Sequence, residues 1–231
     1  MLRSRIAELM DDPGLERNLH EHALKELERL NCISANYGSI WKPIRDLART
    51  EPGRPIRVLD IASGGGDTAI ALYKMALNED IDLHVTGLDI SGKAIDYAGK
   101  RAKEAGVNLQ FLKLDALQHE LPSGFDVAIC SLFMHHLDPD QVVILLRKMG
   151  SSVRSLVLVN DLLRSRLNLW IVYLATRLLC RSPIVHYDGP VSVKAAYNRE
   201  EMLSMSRQAG LNGAEVALRF PCRMLLSWRK I

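Results

Sequence analysis

The stretch VLDIASGGGD, residues 58–67, limits what this chain can fold into more than any other segment. A short apolar run ends in an acid and opens into three consecutive glycines, Gly64, Gly65 and Gly66. Helix-forming TAIALYKMAL follows at once. A strand that runs through glycines into a helix is a nucleotide-binding turn. With side chains absent, backbone N–H groups and the helix N-terminus can face a ligand. A second signal supports this reading. Asp89 ends the next apolar run, LHVTGLDI, 23 residues past Gly66. There a carboxylate can accept from both hydroxyls of a ribose.

Strands and helices then alternate. IRVLDI (56–61) is a continuous apolar run of the kind buried in a parallel sheet. Ser91 is placed to N-cap the helix GKAIDYAGKRAKEA, and Gly106 to close it. LQFLKLD (109–115), FDVAICSLF (125–133) and SLVLVND (155–161) read as three further strands. Between the last two, Asp138 and Pro139 start a helix that Gly150 is expected to end. This βαβ order predicts an α/β, doubly wound, open sheet. A long insertion, 162–197, follows. Asn198 and Glu201 then have capping-box spacing. GAEVALRF and PCRMLLSWRK close the chain as two alternating stretches with a tight antiparallel connection. The first fifty residues read as helices, with Leu19, Leu24, Leu27 and Leu30 near one face of LERNLHEHALKELERLNCI. EPGRP (51–55) is a breaker. The expected organisation is a helical cap at 1–54 and a main domain at 55–231 with a helical lid at 162–197.

Bulk properties exclude several classes. At 231 residues and 48% hydrophobic, the chain can bury a real core. The net charge of +3 is small, and no block of Lys or Arg suggests nucleic acid. Cys32, Cys130, Cys180 and Cys222 lack metal spacing and suit a reduced, cytoplasmic protein with buried thiols. MLRSRIAELMDDPG does not read as a signal peptide. LNLWIVYLATRLLC (167–180) is too short to cross a bilayer and contains Arg177, so no stable membrane insertion is expected.

The glycine spacing separates two ligand types. A dinucleotide turn wants glycine at its first, third and sixth positions. Counting from Ala62, this chain has Ala62, Gly64 and Asp67. An acid at the sixth position opposes a pyrophosphate and tolerates a cation or a neutral nucleoside.

VLDIASGGGD resembles the first motif of the class I S-adenosylmethionine-dependent methyltransferases, V-L-D-x-G-x-G-x-G, with Ala62 in place of the first glycine. Asp89 matches the family's ribose-binding acid, and LKLDA, with Asp115 and Ala116, its adenine motif. FDVAICSLFMHHLDP matches the fourth-strand motif, and the final two stretches are similar to the sixth and seventh strands. The resemblance implies a seven-stranded, mostly parallel sheet with a reversed last strand and S-adenosyl-L-methionine as cofactor. It implies cofactor contacts from Asp60, Ala62, Ser63, Gly64, Gly66, Asp89, Ile90, Asp115, Ala116 and Ser131. Within the family, the chain is similar to the small-molecule branch of ubiquinone, menaquinone and polyketide-pathway methyltransferases.

Methyl transfer needs mainly alignment and exclusion of water. A base helps where the acceptor must lose a proton, since a free phenol titrates at about 10. The candidates are His136, beside His135 after the fourth strand, His186 in IVHYDGP, and Asp161 at the end of the fifth. No carboxylate or histidine cluster accompanies Asp161 in the sequence, so no metal is expected. Trp41, Phe133, Met134, Trp170, Tyr173, Tyr187 and Tyr197 are candidates to wall an apolar acceptor pocket. The expected reaction is methyl transfer to oxygen or carbon of a small, apolar, aromatic hydroxyl compound. The alternatives are a protein or RNA methyltransferase and a cofactor-binding regulatory subunit without catalysis. A homodimer stays open.

Overall fold

The computed structural model of the chain describes residues 1–11, 14–16, 18–19, 22–23, 26, 30 and 37–230. His20, Leu24, Leu27 and Cys32 lie outside the described residues. Seven strands form one sheet: β1 (Ile56–Ile61), β2 (Leu83–Asp89), β3 (Gln110–Lys113), β4 (Phe125–Ser131), β5 (Val153–Leu162), β6 (Glu215–Arg219) and β7 (Arg223–Arg229). Their order is β3-β2-β1-β4-β5-β7-β6. All neighbours are parallel except β7, which runs antiparallel to both β5 and β6. The expected doubly wound sheet with a reversed last strand is therefore observed.

Helices α1 (Tyr37–Thr50), α2 (Asp67–Asn78), α3 (Gly92–Glu104), α4 (Pro139–Ser152), α5 (Arg166–Leu179), α6 (Pro183–Ala195) and α7 (Arg199–Gln208), with 3-10 turns at Leu9–Asp11 and Met134–His136, complete the described elements. Their ends follow side-chain chemistry. The Ser91 hydroxyl accepts from the Ala94 N–H at 3.3 Å. Asn198 accepts from the Glu201 N–H, and Glu201 returns the bond from the Asn198 N–H, closing a capping box before α7. Asp138 and Gln141 do the same before α4. That helix continues through Gly150 to Ser152, so Gly150 does not end it. It is needed there for packing, because a Cβ would lie 2.7 Å from the Leu211 side chain.

The sheet is buried on both faces. Ile40, Trp41, Ile44 and Leu47 of α1 join Val58, Leu72, Val127 and Leu158 in one apolar cluster. Leu59, Leu145, Leu146, Met149, Val157 and Met202 belong to the other. The β2 edge depends on two missing side chains. Phe111 of β3 lies over Gly87 of β2, where a Cβ would meet the ring at 2.6 Å and the Ser63 hydroxyl at 2.8 Å. The same ring would meet a Cβ at Gly66 at 3.0 Å.

The described residues between 18 and 30 and α1 are helical, and the first eight residues depart from the helical reading. Residues 1–8 carry no helix, and Leu9–Asp11 forms a single 3-10 turn. This strap is pinned along its length. The Ser4 N–H donates to the Lys194 carbonyl. Arg3 donates to the carbonyls of Ala195, His135 and Leu137. The Leu9 and Met10 N–H groups donate to the Asp188 carboxylate.

The insertion 162–197 holds α5 and α6 and is closed at its neck. Buried Arg164 forms a two-pronged ion pair with Glu201 at 2.6 and 3.0 Å, and donates to the carbonyls of Ala196 and Met1. No described helix is long and apolar enough to cross a membrane.

Gly87→Ala is expected to destabilise the chain by about 1–3 kcal/mol, because the new methyl must displace Phe111 or Ser63. Urea unfolding of the variant against wild type measures it.

Candidate active site

The strand order reverses at β1, between β2 and β4. The crevice beyond the C-terminal ends of these strands is where open α/β sheets bind ligands. Most of the sequence-derived cofactor residues come together there. Ala62–Gly66 leaves β1, Asp89 and Ile90 end β2, and Ser131 ends β4. Asp115 and Ala116 follow the edge strand β3.

The glycine loop is held by Asp89. One oxygen of its carboxylate accepts from the Gly64 N–H at 2.9 Å, and the other from the Ser91 N–H at 2.8 Å. A carboxylate oxygen has two lone-pair directions, so each can still accept a hydroxyl. A Cβ on Gly64 would meet nothing within 4 Å. Here the absent side chain leaves room for a ligand, whereas at Gly66 and Gly87 it leaves room for Phe111. Asp115 accepts from Leu117 and Gln118 N–H groups through one oxygen. Ile90 is 62% exposed beside Asp89, an apolar face turned outward at the crevice.

Ala62 has φ 55. A left-handed backbone strains any residue with a Cβ, which is a physical reason for glycine at this position. Asp67 is ion-paired to Arg101, whose guanidinium also donates to the Gly65 carbonyl. The acid at the helix N-terminus is therefore not a bare negative charge. The case against a pyrophosphate rests on glycine spacing more than on repulsion.

Four buried polar atoms at this edge have no hydrogen-bond partner among the described residues: Asp60 Oδ2, Ser63 Oγ, Ser131 Oγ and Asn160 Oδ1. Buried polar groups are nearly always paired. Their grouping at the ends of β1, β4 and β5 fits a polar ligand as the missing partner. Asp60 is fully buried, and its carboxyl is pushed up to about 8, first by burial and then by the Asp89 charge, against a hydrogen bond from the Ala69 N–H.

On the β4–β5 side Asp161 pairs with His135. Its Nδ1 lies 2.6 Å from Asp161 Oδ1, and its backbone N–H donates to Asp161 Oδ2 at 3.1 Å. The Leu162 N–H also donates to Asp161 Oδ1. Burial alone would raise the Asp161 pKa. The His135 ring and these N–H donors outweigh it and hold the carboxyl below its ordinary value. Asp161 thus positions His135, a role sequence reasoning missed. His136 is half-buried, with its ring 4.3 Å from that of His135. His186 sits elsewhere, on the Cys180 carbonyl at the end of α5.

The fold brings a carboxylate and two histidines from distant parts of the chain together at this corner. The strap carries Glu8 to 3.8 Å from His135 Nε2. Glu8, His135 and His136 offer ligand atoms all within 4.8 Å of one another. More than a hundred residues separate Glu8 from the histidines, so spacing could not reveal it.

The expected aromatic pocket is only partly present. Trp41 and Met134 are core residues, and Tyr197 is buried with its hydroxyl on the Leu137 carbonyl. Trp170, Leu174 and Leu178 are exposed, so this apolar face of α5 meets solvent.

Residues 58–155 match the family model described as a methyltransferase domain. The ubiquinone/menaquinone biosynthesis C-methyltransferase UbiE of Rhizobium meliloti is 34% identical over 89 residues, 37% of this chain and 33% of that protein. A ubiquinone biosynthesis O-methyltransferase of Pseudoalteromonas translucida is 25% identical over 156 residues, 66% of this chain and 62% of that one. The chain thus spans between a third and under two thirds of the length of these relatives. Among solved structures, the plantazolicin methyltransferase BamL, in complex with a triazolic desmethylPZN analog and SAH, superposes with a TM-score of 0.66 at 16% identity, over 90% of this chain and 89% of that one. Magnesium protoporphyrin IX methyltransferase from Synechocystis PCC 6803, with bound SAH, gives 0.58 at 16% identity, over 96% and 91%. Motifs, fold and the methyltransferase-domain match over residues 58–155 together make the chain similar to the class I S-adenosylmethionine-dependent methyltransferases. Within that class it resembles the small-molecule branch.

Two outcomes follow from the loop. Ala62→Gly relieves the left-handed strain and is expected to stabilise the chain by about 0.5–1 kcal/mol after the entropy of the added glycine is subtracted, as read by urea unfolding. The Asp60 pKa is raised in the fold from an ordinary 3.8 to about 8. Its contribution to stability is thus full below pH 3.8 and lost as pH rises through about 8. Melting curves of wild type and Asp60→Asn between about pH 5 and 9 should diverge, wild type losing more as pH rises.

Proposed function

We propose that the chain transfers the methyl group of S-adenosyl-L-methionine to an oxygen or carbon of a small aromatic hydroxyl compound. The observation that carries this reading is the set of unpartnered buried atoms, Asp60 Oδ2, Ser63 Oγ, Ser131 Oγ and Asn160 Oδ1, near the C-terminal ends of β1, β4 and β5, next to a glycine loop with open space above Gly64. The relatives named for ubiquinone and menaquinone biosynthesis support a small acceptor.

The cofactor supplies a methyl group already activated on a sulfonium. The chain's own residues bind and orient. Asp89 would take the ribose hydroxyls, Ile90 would cover an adenine face, and Asp115 would accept its amine through the oxygen not used by the Leu117 N–H. Asp60 would hold the cationic end, and beside a cation its carboxyl would ionise. Affinity should therefore rise as pH approaches about 8. Phe133 and the His135–His136 pair line the approach from β4. That pair is the chain's means of handling an acceptor proton, with Asp161 fixing the His135 ring.

Calorimetry should detect S-adenosylmethionine and its demethylated product, and no NAD. Asp89→Ala should weaken cofactor binding by about 1.5–3 kcal/mol, and more than Asp115→Ala. Turnover of a phenolic acceptor should fall by about 10²–10⁴ in His136→Ala. Binding of NAD alone would overturn the cofactor assignment. A peptide or nucleic acid as preferred acceptor would overturn the substrate class.

A further inference from the structure

We propose that Glu8, His135 and His136 form a binding site for a divalent transition-metal ion of the zinc type. The three ligand atoms lie within 4.8 Å of one another, and His135 Nε2 is 3.8 Å from Glu8 Oε1. Ligands about 2.0–2.1 Å from one tetrahedral ion stand about 3.3–3.5 Å apart. Closing the cluster onto an ion thus asks for small side-chain movements only.

Three features argue for a built site. The first is the orientation of His135. Asp161 lies 2.6 Å from its Nδ1, which puts Nε2 on the Glu8 side. A carboxylate behind a histidine is the usual outer support of a metal ligand. The second is the placement of Glu8. The strap carrying it is fixed on both flanks, by Arg3 and Ser4 before it and by Leu9 and Met10 on Asp188 after it. Ser192 orients the carboxylate itself by donating to Oε1 at 2.5 Å. The third is charge. Glu8 and Asp161 can together balance a dication. Arg3 and Arg5 are the nearby cations, and both are engaged by the backbone carbonyls of 135–137, with Arg5 also on Asp138.

Two imidazoles and one carboxylate favour a zinc-type ion over magnesium or calcium, which prefer all-oxygen sets. Three protein ligands leave a coordination position open. Where an acceptor hydroxyl reaches this edge, that position takes its oxygen and lowers its pKa; this last step rests on the methyl-transfer reading, and the ion site does not.

Cobalt(II) is the probe, added to the chelator-treated full chain without cofactor. One equivalent is expected to bind with the strong visible absorption of a low-coordinate site, and zinc should displace it. Glu8→Gln and His136→Ala should each weaken binding by at least about 10–100-fold, and Asp161→Asn, a positioning change, should weaken it within that range and shift the band. His84→Ala, at the surface, should change nothing. Zinc anomalous scattering from soaked wild-type crystals locates the ion if a variant fails to fold. No one-equivalent band, a band indifferent to both Glu8→Gln and His136→Ala, or an ion found elsewhere overturns the site. Cofactor titration of the metal-free chain is a separate readout, so its failure refutes the methyltransferase reading and leaves the ion site standing.

Discussion

The Asp161 carboxylate is the interaction on which this end of the molecule depends. It accepts from the His135 ring, the His135 backbone and the Leu162 backbone, and so ties the segment after β4 to the end of β5. A buried carboxylate is costly unless its oxygens are fully engaged, and three donors engage this one. The result is a rigid corner at one lip of the crevice. Its other lip, the glycine loop, is held by a second carboxylate, Asp89, through the Gly64 and Ser91 N–H groups. Two acids with different partners thus frame one cleft. Asp60, Ser63, Ser131 and Asn160, at the ends of β1, β4 and β5, have buried polar atoms without a partner among the described residues.

The strap and the insertion complete that corner from distant parts of the chain. Arg164 and Glu201 close the insertion's neck, and the Met1 carbonyl accepts from the same guanidinium. Ala23 packs with Cys180, Ile184 and Val185, and Glu26 accepts from the Arg181 and Ser182 N–H groups. The described N-terminal residues therefore pack on the insertion, and through Arg3 they fix the carbonyls of His135 and Leu137.

The sheet was legible because its signals are local. Apolar runs, the Asn198–Glu201 box and the Asp138–Pro139 start each declare themselves within a few residues. The glycine turn between β1 and α2 was legible for the same reason. Three features were not. Residues 1–10 take their form from partners at 135–137, 188 and 194–195, which no window of sequence contains. The choice between His135 and His136 turns on which ring faces Asp161, a matter of backbone direction after Leu132, whose φ is 54. The exposed face of α5 has helical periodicity, but periodicity gives a face and not its neighbour. Trp170 and Leu178 meet solvent, while Asn168 and Thr176 on the same helix are buried.

Phe111 belongs to the edge strand, yet its ring occupies the space that side chains at Gly66 and Gly87 would need, and the Ser63 hydroxyl shares the second of these gaps. Drift at these positions is therefore coupled. A larger residue at 87 becomes tolerable only after the ring at 111 has shrunk, and a smaller ring first opens a void that something must fill. The order of substitutions along any lineage would be constrained in this corner. A change that looks peripheral, on a short outer strand, would register at the ligand loop through one aromatic ring.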